Sequence, residues 1–477
     1  MPAFLRCFIP AIVATLSASL IYAQKTKKDV IQAIDAKHES YSAIAKQIWD
    51  FAEVGYKENK SSALLAELLE KEGFKVERGV AGIPTAFIAT YGSGKPVIGI
   101  LGEYDALPGV SQDAVPELKP IAGKPSGHAC GHNLFGTASV AAAIEVRNWL
   151  IANKKSGIVR FYGTPAEEGG AGKVYMVREG LFKDVDVVLH WHPGADNSVE
   201  AGSTLANKSG KFRFYGVAAH AAASPERGRS ALDGVEAMDA MVNMLREHVS
   251  EKTRIHYVIT RGGEAPNVVP AFAEVYYYVR HPNVDEVKAT WERVVKAAQG
   301  AAQGTETRVE IEVTGGVYNM QPNEVLGKLM DKNLHEIGGY TYTPEEKAFA
   351  EKIQTTFTKP PKLETTQTVA PFTQRDGIGS TDVADVSWVV PTVGLSTATW
   401  VPGTAAHSWQ AVAAGGMTIG YKGMNLAAKA IAATAIDLFE QPATLTAAWK
   451  ELNTRRGADF KYEAVLGDRK PALNYRD

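Results

Sequence analysis

Cysteine is nearly absent from this chain: 477 residues hold only Cys7 and Cys130. So sparse a supply rules out a disulfide framework. An excess of either charge is also lacking. The net charge is −2, which leaves no basic footprint for nucleic acid. Beyond the N-terminus no apolar run is long enough to span a bilayer. There is no internal repeat and no extended low-complexity tract. What remains is the composition of a soluble globular protein, long enough for two domains or for one large domain with an insertion.

The N-terminal stretch MPAFLRCFIPAIVATLSASLIYAQ sets one early cation, Arg6, ahead of an apolar run that closes on small residues. It reads as a signal peptide over residues 1–23, cut after Ala23, and predicts a periplasmic or secreted protein. The alternative is a retained membrane anchor, because the run approaches the shortest spanning length. Cleavage removes Cys7 and leaves Cys130 as a lone thiol. A buried cysteine can serve as a small hydrophobe. Its neighbours in SGHACGHN, however, look like a tight polar turn rather than a core strand. That setting favours a thiolate held by metal.

Strand and helix patterns alternate through the first 205 residues. DVIQAIDAKHESYSAIAKQIWDFAEV and SSALLAELLEKEGF have helical spacing, the second opened by serine and stopped by Gly73. PVIGILGEYDALPGV, GIVRFYGTPAEEGG and VDVVLHWHPG read as strands that leave through polar loops. The expectation is an α/β fold: a mixed, largely parallel sheet flanked by helices. Its polar motifs fall at strand C-terminal ends, where such sheets place their sites. Near residue 206 the pattern changes to β-α-β-β-α-β, an α+β ferredoxin-like unit inserted at 206–320. The surrounding domain is then built from 24–205 and 321–477. Within it, 341–375 is polar, threonine-rich and carries KPPK, and is expected as a surface excursion.

Three polar clusters stand out. In HACGH, Cys130 and His132 are separated by one residue and would face one point on an extended backbone. In TPAEEGGAG, Glu167 and Glu168 are adjacent in a glycine-rich loop. One carboxylate can bind metal while the other relays a proton from a metal-activated water to a leaving amine. In LHWHPG either His190 or His192 could be a ligand, since residues two apart in a strand share a face. His407, in PGTAAHSW, is a weaker fourth element. Each has an ordinary reading alone: a turn histidine pair, an exposed acidic loop, a stray histidine. Together Cys130, His132, Glu168, His192 and His407 offer nitrogen, oxygen and sulfur donors suited to zinc-like ions.

Eight motifs in order, GEYDALPG, GHACGHN, PAEEGGAG, HWHPG, AAHAAASPERGRSALDGV, GGEAPNVVPAFAEVYYYVR, GSTDVADVSW and AAHSWQ, resemble the aminoacylase/carboxypeptidase-type metallopeptidases of family M20. More narrowly they resemble its amidohydrolase branch. The resemblance implies a metallopeptidase catalytic domain with two divalent ions, zinc or manganese, and an inserted lid used for homodimerisation. It implies Cys130, His132, Glu168, His192 and His407 as ligands and Glu167 as general base. His128 and His190 fall outside ligand positions. Asp105 matches a position that orients a ligand histidine. His220 matches a histidine that reaches into the partner's active site and steadies the developing oxyanion. Asn267 and Arg280 match positions that hold a substrate carboxylate, a task suited to the arginine fork.

The implied reaction is metal-dependent hydrolysis of the linear amide bond in a small N-acyl or N-aroyl amino acid, p-aminobenzoyl-glutamate-like. One alternative is a dipeptidase or carboxypeptidase of the same family, sharing the site. Another, of a different class, is a non-catalytic periplasmic binding protein, which would be expected to have lost the base or ligands. No nucleic acid partner is expected, and no membrane association after cleavage of the leader.

Overall fold

The computed structural model describes residues 24–477; the expected leader, with Cys7, lies outside the described residues. Four strands run parallel through the middle of a seven-stranded sheet, in the order Gly157–Gly163, Val97–Gly102, Val187–Gly194 and Thr392–Ala398. Antiparallel strands complete it: Phe87–Ser93 and Lys75–Arg78 at one edge, Ser198–Glu200 at the other. The central sequence VIGILG is buried at every position, as a sheet covered on both faces requires. Helices His132–Ala152 and Thr418–Glu440 are buried along most of their length. They lie between the sheet and the outer helices Lys27–Ala36, His38–Phe51 and Glu324–Ile337, so most of each circumference is apolar, and polar residues such as Lys422, Asn425 and Lys429 are confined to a narrow stripe that pairs with Asp35 and Glu346. Among the described residues no helix is long and apolar enough to cross a membrane.

The chain leaves this layer at Ala206 and builds a four-stranded antiparallel sheet ordered Arg254–Arg261, Phe272–His281, Ala206–Tyr215 and Arg308–Val317. Helices Ala231–Leu245 and Val284–Gly304 cover one face. Alternation sets the two faces: Phe212 and Phe214 are buried under the helices, while Lys211 and Arg213 point the other way. That second face carries Ser209, Tyr276 and Tyr278 to the wall of a cleft against the larger sheet.

One local expectation changes. The 341–375 stretch is not a bare excursion, since Pro344–Gln354 forms a helix. A capping box between Thr343 and Glu346 starts it, and Phe349, Ala350 and Ile353 dock it against Trp400 and Val401. The Cys130–His132 backbone is the tight turn that SGHACGHN suggests, so the two donors converge without the extended backbone that their spacing alone would need. Gly131 takes φ +74°, and a Cβ there would lie 2.6 Å from Pro193. Only glycine accommodates both demands.

Candidate metal centre and active site

Five donors converge where the central strands end. Cys130 and His132 come from the turn that opens helix His132–Ala152, and His192 from strand Val187–Gly194. Glu168 follows strand Gly157–Gly163, and His407 precedes helix Trp409–Gly415. The ligand atoms of Cys130, His132 and His192 lie within 4.8 Å of one another, and so do those of Cys130, Glu168 and His407. The thiol is common to both groups. The Cys130 Sγ is 3.4 Å from His192 Nε2, and His407 Nε2 is 3.1 Å from Glu168 Oε1. His132 Nε2 and Glu168 Oε1 are buried and make no well-directed hydrogen bond, although Glu103 Oε2 lies 3.0 Å from the first and His407 Nε2 3.1 Å from the second.

The tautomers are set from behind. His132 Nδ1 sits 2.9 Å from Asp105 Oδ1 and 3.1 Å from the Asp105 carbonyl oxygen. Both are acceptors, so the proton resides on Nδ1 and the Nε2 lone pair faces the site. His192 repeats the device with its own neighbour, Nδ1 lying 2.8 Å from the Pro193 carbonyl oxygen. Burial alone would raise the Asp105 carboxyl, but His132, the Glu168 N–H and Lys173 outweigh it and hold it below the usual carboxylate range. Burial pushes the Cys130 thiol up, well above its ordinary value. A thiolate in that position calls for a cation beside it. Donor chemistry, unpartnered inward-facing atoms and fixed tautomers all fit two divalent ions.

The loop bearing Glu167 and Glu168 is held from three sides. Glu58, itself buried, accepts from the Ala166 N–H at 2.8 Å. Asp105 Oδ2 accepts from the Glu168 N–H at 2.9 Å. The Glu168 carbonyl accepts from Tyr475 Oη–H at 3.0 Å and from Arg476. Ala166 is thereby kept at φ +57°, a conformation a non-glycine residue holds only when its surroundings dictate it. Burial, then the neighbouring Glu168 charge, pushes the Glu167 carboxyl well up from its usual range.

Beside the site-facing nitrogen of His132 lies an ion-pair network that sequence reasoning missed. Glu103 Oε2 is 3.0 Å from His132 Nε2 and its other oxygen is 2.6 Å from Lys173 Nζ, which is 2.7 Å from Asp382. All four residues are buried. Two signals were present: Glu103 is two residues before Asp105 at a strand end, and Lys173 is a lone cation in an apolar stretch.

The remaining sequence-based candidates separate. Arg280 lines the cleft of about 620 Å³ that also holds Cys130, Glu167, Glu168, His192 and His407. His220 and Asn267 do not line it. They sit together in exposed loops outside the strands of the smaller sheet, where the Asn267 carbonyl accepts from the Ala221 N–H and His220 pairs with Val268 in a lone β-bridge. His128 is buried with Nε2 3.0 Å from the Ile48 carbonyl oxygen. His190 belongs to none of the donor groups and lines a neighbouring cavity.

Residues 206–306 match the peptidase dimerisation domain of M20 enzymes. Over 444 residues the chain is 44% identical to one of the subunits of p-aminobenzoyl-glutamate hydrolase from Escherichia coli K12, covering 87% of this chain and 92% of that one. It is 30% identical over 466 residues to the Xaa-Arg dipeptidase of Mus musculus, covering 94% and 96%. Its fold is shared with a solved dinuclear metal-binding peptidase of the M20 family from Bacillus subtilis, at TM-score 0.58 and 18% identity over 85% of this chain and 99% of that one.

Proposed function

The chain belongs to the M20 family and is a metal-dependent hydrolase of linear amide bonds; from that premise we propose that it cleaves N-acyl or N-aroyl amino acids of the p-aminobenzoyl-glutamate kind. The observation that carries the reading is a pair of donor groups sharing the Cys130 thiol, with Glu167 beside them. When bound, two divalent ions supply Lewis acidity to a water and to the amide carbonyl. Zinc suits the thiolate and imidazoles, and the carboxylate also admits manganese. Glu167 takes the proton of the attacking water and passes it to the leaving nitrogen. Arg280, on the cleft wall, draws in the carboxylate of the amino acid.

The working unit in this reading is a homodimer. His220 and Asn267, lying outside their own cleft, would complete the partner's, where His220 donates to the developing oxyanion. The exposed edge strand Arg254–Arg261, with Val258 55% accessible, supports such pairing. Export through the leader is also part of the proposal. A thiol that is buried and metal-held is a tolerable lone cysteine in an oxidising compartment.

Elemental mass spectrometry of the purified protein and its Cys130→Ser variant, with hydrolysis of p-aminobenzoyl-glutamate, N-acyl amino acids and dipeptides, tests this. About two ions per chain, falling together with activity in the variant, supports the site. Absence of metal after reconstitution, with no turnover, overturns it. Turnover confined to Xaa-Arg dipeptides would instead support the dipeptidase reading that the mouse relative suggests.

A further inference from the structure

A second cavity, of about 460 Å³, adjoins the catalytic cleft, and the two share His192 and the segment Gly379–Thr381 as walls. Its floor follows from strand register. His190 lies opposite Gly394 in the parallel pair, and Gly394 lies opposite Glu200 in the antiparallel pair, so the three form one row on one face of the sheet. The middle residue has no side chain. A Cβ on Gly394 would fall 2.2 Å from the His190 ring, so glycine keeps the row open and lets the imidazole lie across it.

Two polar groups of this cavity are uncommitted. His190 is 4% exposed and its Nε2 has no hydrogen-bond partner. Glu200 opens onto the cavity yet makes no ion pair among the described residues. Asp196 lies nearby, and Arg375 is the single basic residue on the lining besides the histidines. A carboxylate-bearing group would be repelled here and drawn to Arg280 in the cleft instead. A flat acyl group that ends in an N–H donor would enter with the opposite preference.

We propose that this cavity is the acyl-group pocket and that Glu200 and His190 select acyl groups bearing an N–H donor at the end remote from the scissile amide, aryl amines being the class that fits. The inference rests on the amide hydrolase reading above and adds its specificity. The ring packs beside Phe135 and Val199 on the cavity wall, and the amine reaches the Glu200 carboxylate.

The test compares kcat/KM for N-(4-aminobenzoyl)-L-glutamate and N-benzoyl-L-glutamate in the metal-loaded wild type and in Glu200→Leu. A hydrogen bond to a charged acceptor predicts a wild-type preference of about tenfold or more for the amino compound. The ratio should fall to within about twofold of one in the variant, through loss on the amino compound. Inhibition of the wild type by 4-aminobenzoate against benzoate reads the same preference without any substitution, should Glu200→Leu fold poorly. Equal wild-type rates, or a preference that survives in Glu200→Leu, overturn the pocket assignment while metal-dependent cleavage of both substrates leaves the hydrolase reading intact. Cleavage of neither overturns both.

Discussion

Replacing Asp105 by Asn changes one atom and one charge behind the candidate metal centre, and its consequence can be worked out from three contacts. One carboxylate oxygen accepts from His132 Nδ1–H at 2.9 Å; the other accepts from the Glu168 N–H at 2.9 Å. Asn offers a single acceptor, so its NH2 must confront one of these donors whichever way it turns. An unsatisfied buried donor costs about 1–3 kcal/mol. The Asp105 backbone carbonyl, 3.1 Å from His132 Nδ1, still favours the correct tautomer, which limits the damage to alignment and charge. The expected loss of metal affinity is therefore nearer the lower end of the roughly 10–100-fold typical of such supporting partners, or about 1.4 kcal/mol. Competition against a chelator of known affinity measures it. Thermal unfolding with and without metal separates affinity from folding, because bound metal should raise the midpoint less in the variant. Metal affinity within about twofold of wild type would refute the claim that Asp105 orients both His132 and the Glu168 loop.

Other outcomes follow from the same geometry. Glu167→Gln should keep its metal content but lose about 10²–10⁴-fold in kcat, measured by steady-state turnover on metal-quantified samples; full activity would remove Glu167 as the base. Tyr475→Phe combined with Arg476→Ala frees the Glu168 carbonyl that both residues hold. Turnover should drop at least about tenfold, by a loosened base and ligand, while the melting midpoint moves by only a few degrees; unchanged kcat would show the loop needs no such clamp. Asp385 is buried, accepts from Tyr462 Oη–H at 2.7 Å and the Tyr318 N–H at 3.0 Å, and burial pushes it up to about 7. The folded state thus holds this proton more tightly than the unfolded chain, whose Asp titrates near about 4. The stability it contributes is complete below about pH 4 and is lost as pH rises to about 7, by up to about 1.4 kcal/mol per pH unit. Unfolding midpoints of Asp385→Asn should therefore fall less steeply between pH 5 and 7 than those of the wild type, and parallel curves would contradict the assignment.

The order of elements and most of the candidate donors were legible in the sequence because both are short-range facts. Apolar periodicity marks a buried strand such as Val97–Gly102 without knowledge of its neighbours. Cys130, Glu168 and His407 each stand in a local motif of glycine, proline and polar residues. The choice between His190 and His192 was not legible from spacing, since both occupy one face of one strand. The turn at Gly131 and the tautomer set by the Pro193 carbonyl direct His192 to Cys130. The register against Gly394 leaves His190 to the adjoining cavity.

Length, composition and motif order determined the fold class and, through the resemblance they carry, named the candidate donors and the candidate base. Only the tertiary structure decided what surrounds them: Glu103 against Lys173 and Asp382, Glu58 beneath Ala166, and Tyr475 with Arg476 on the Glu168 carbonyl. These partners come from places up to 308 residues apart in the chain. A lone buried Lys or a terminal Tyr carries no local pattern. Its meaning lies in the charge or carbonyl opposite it, and that partner is supplied by packing rather than by sequence neighbours.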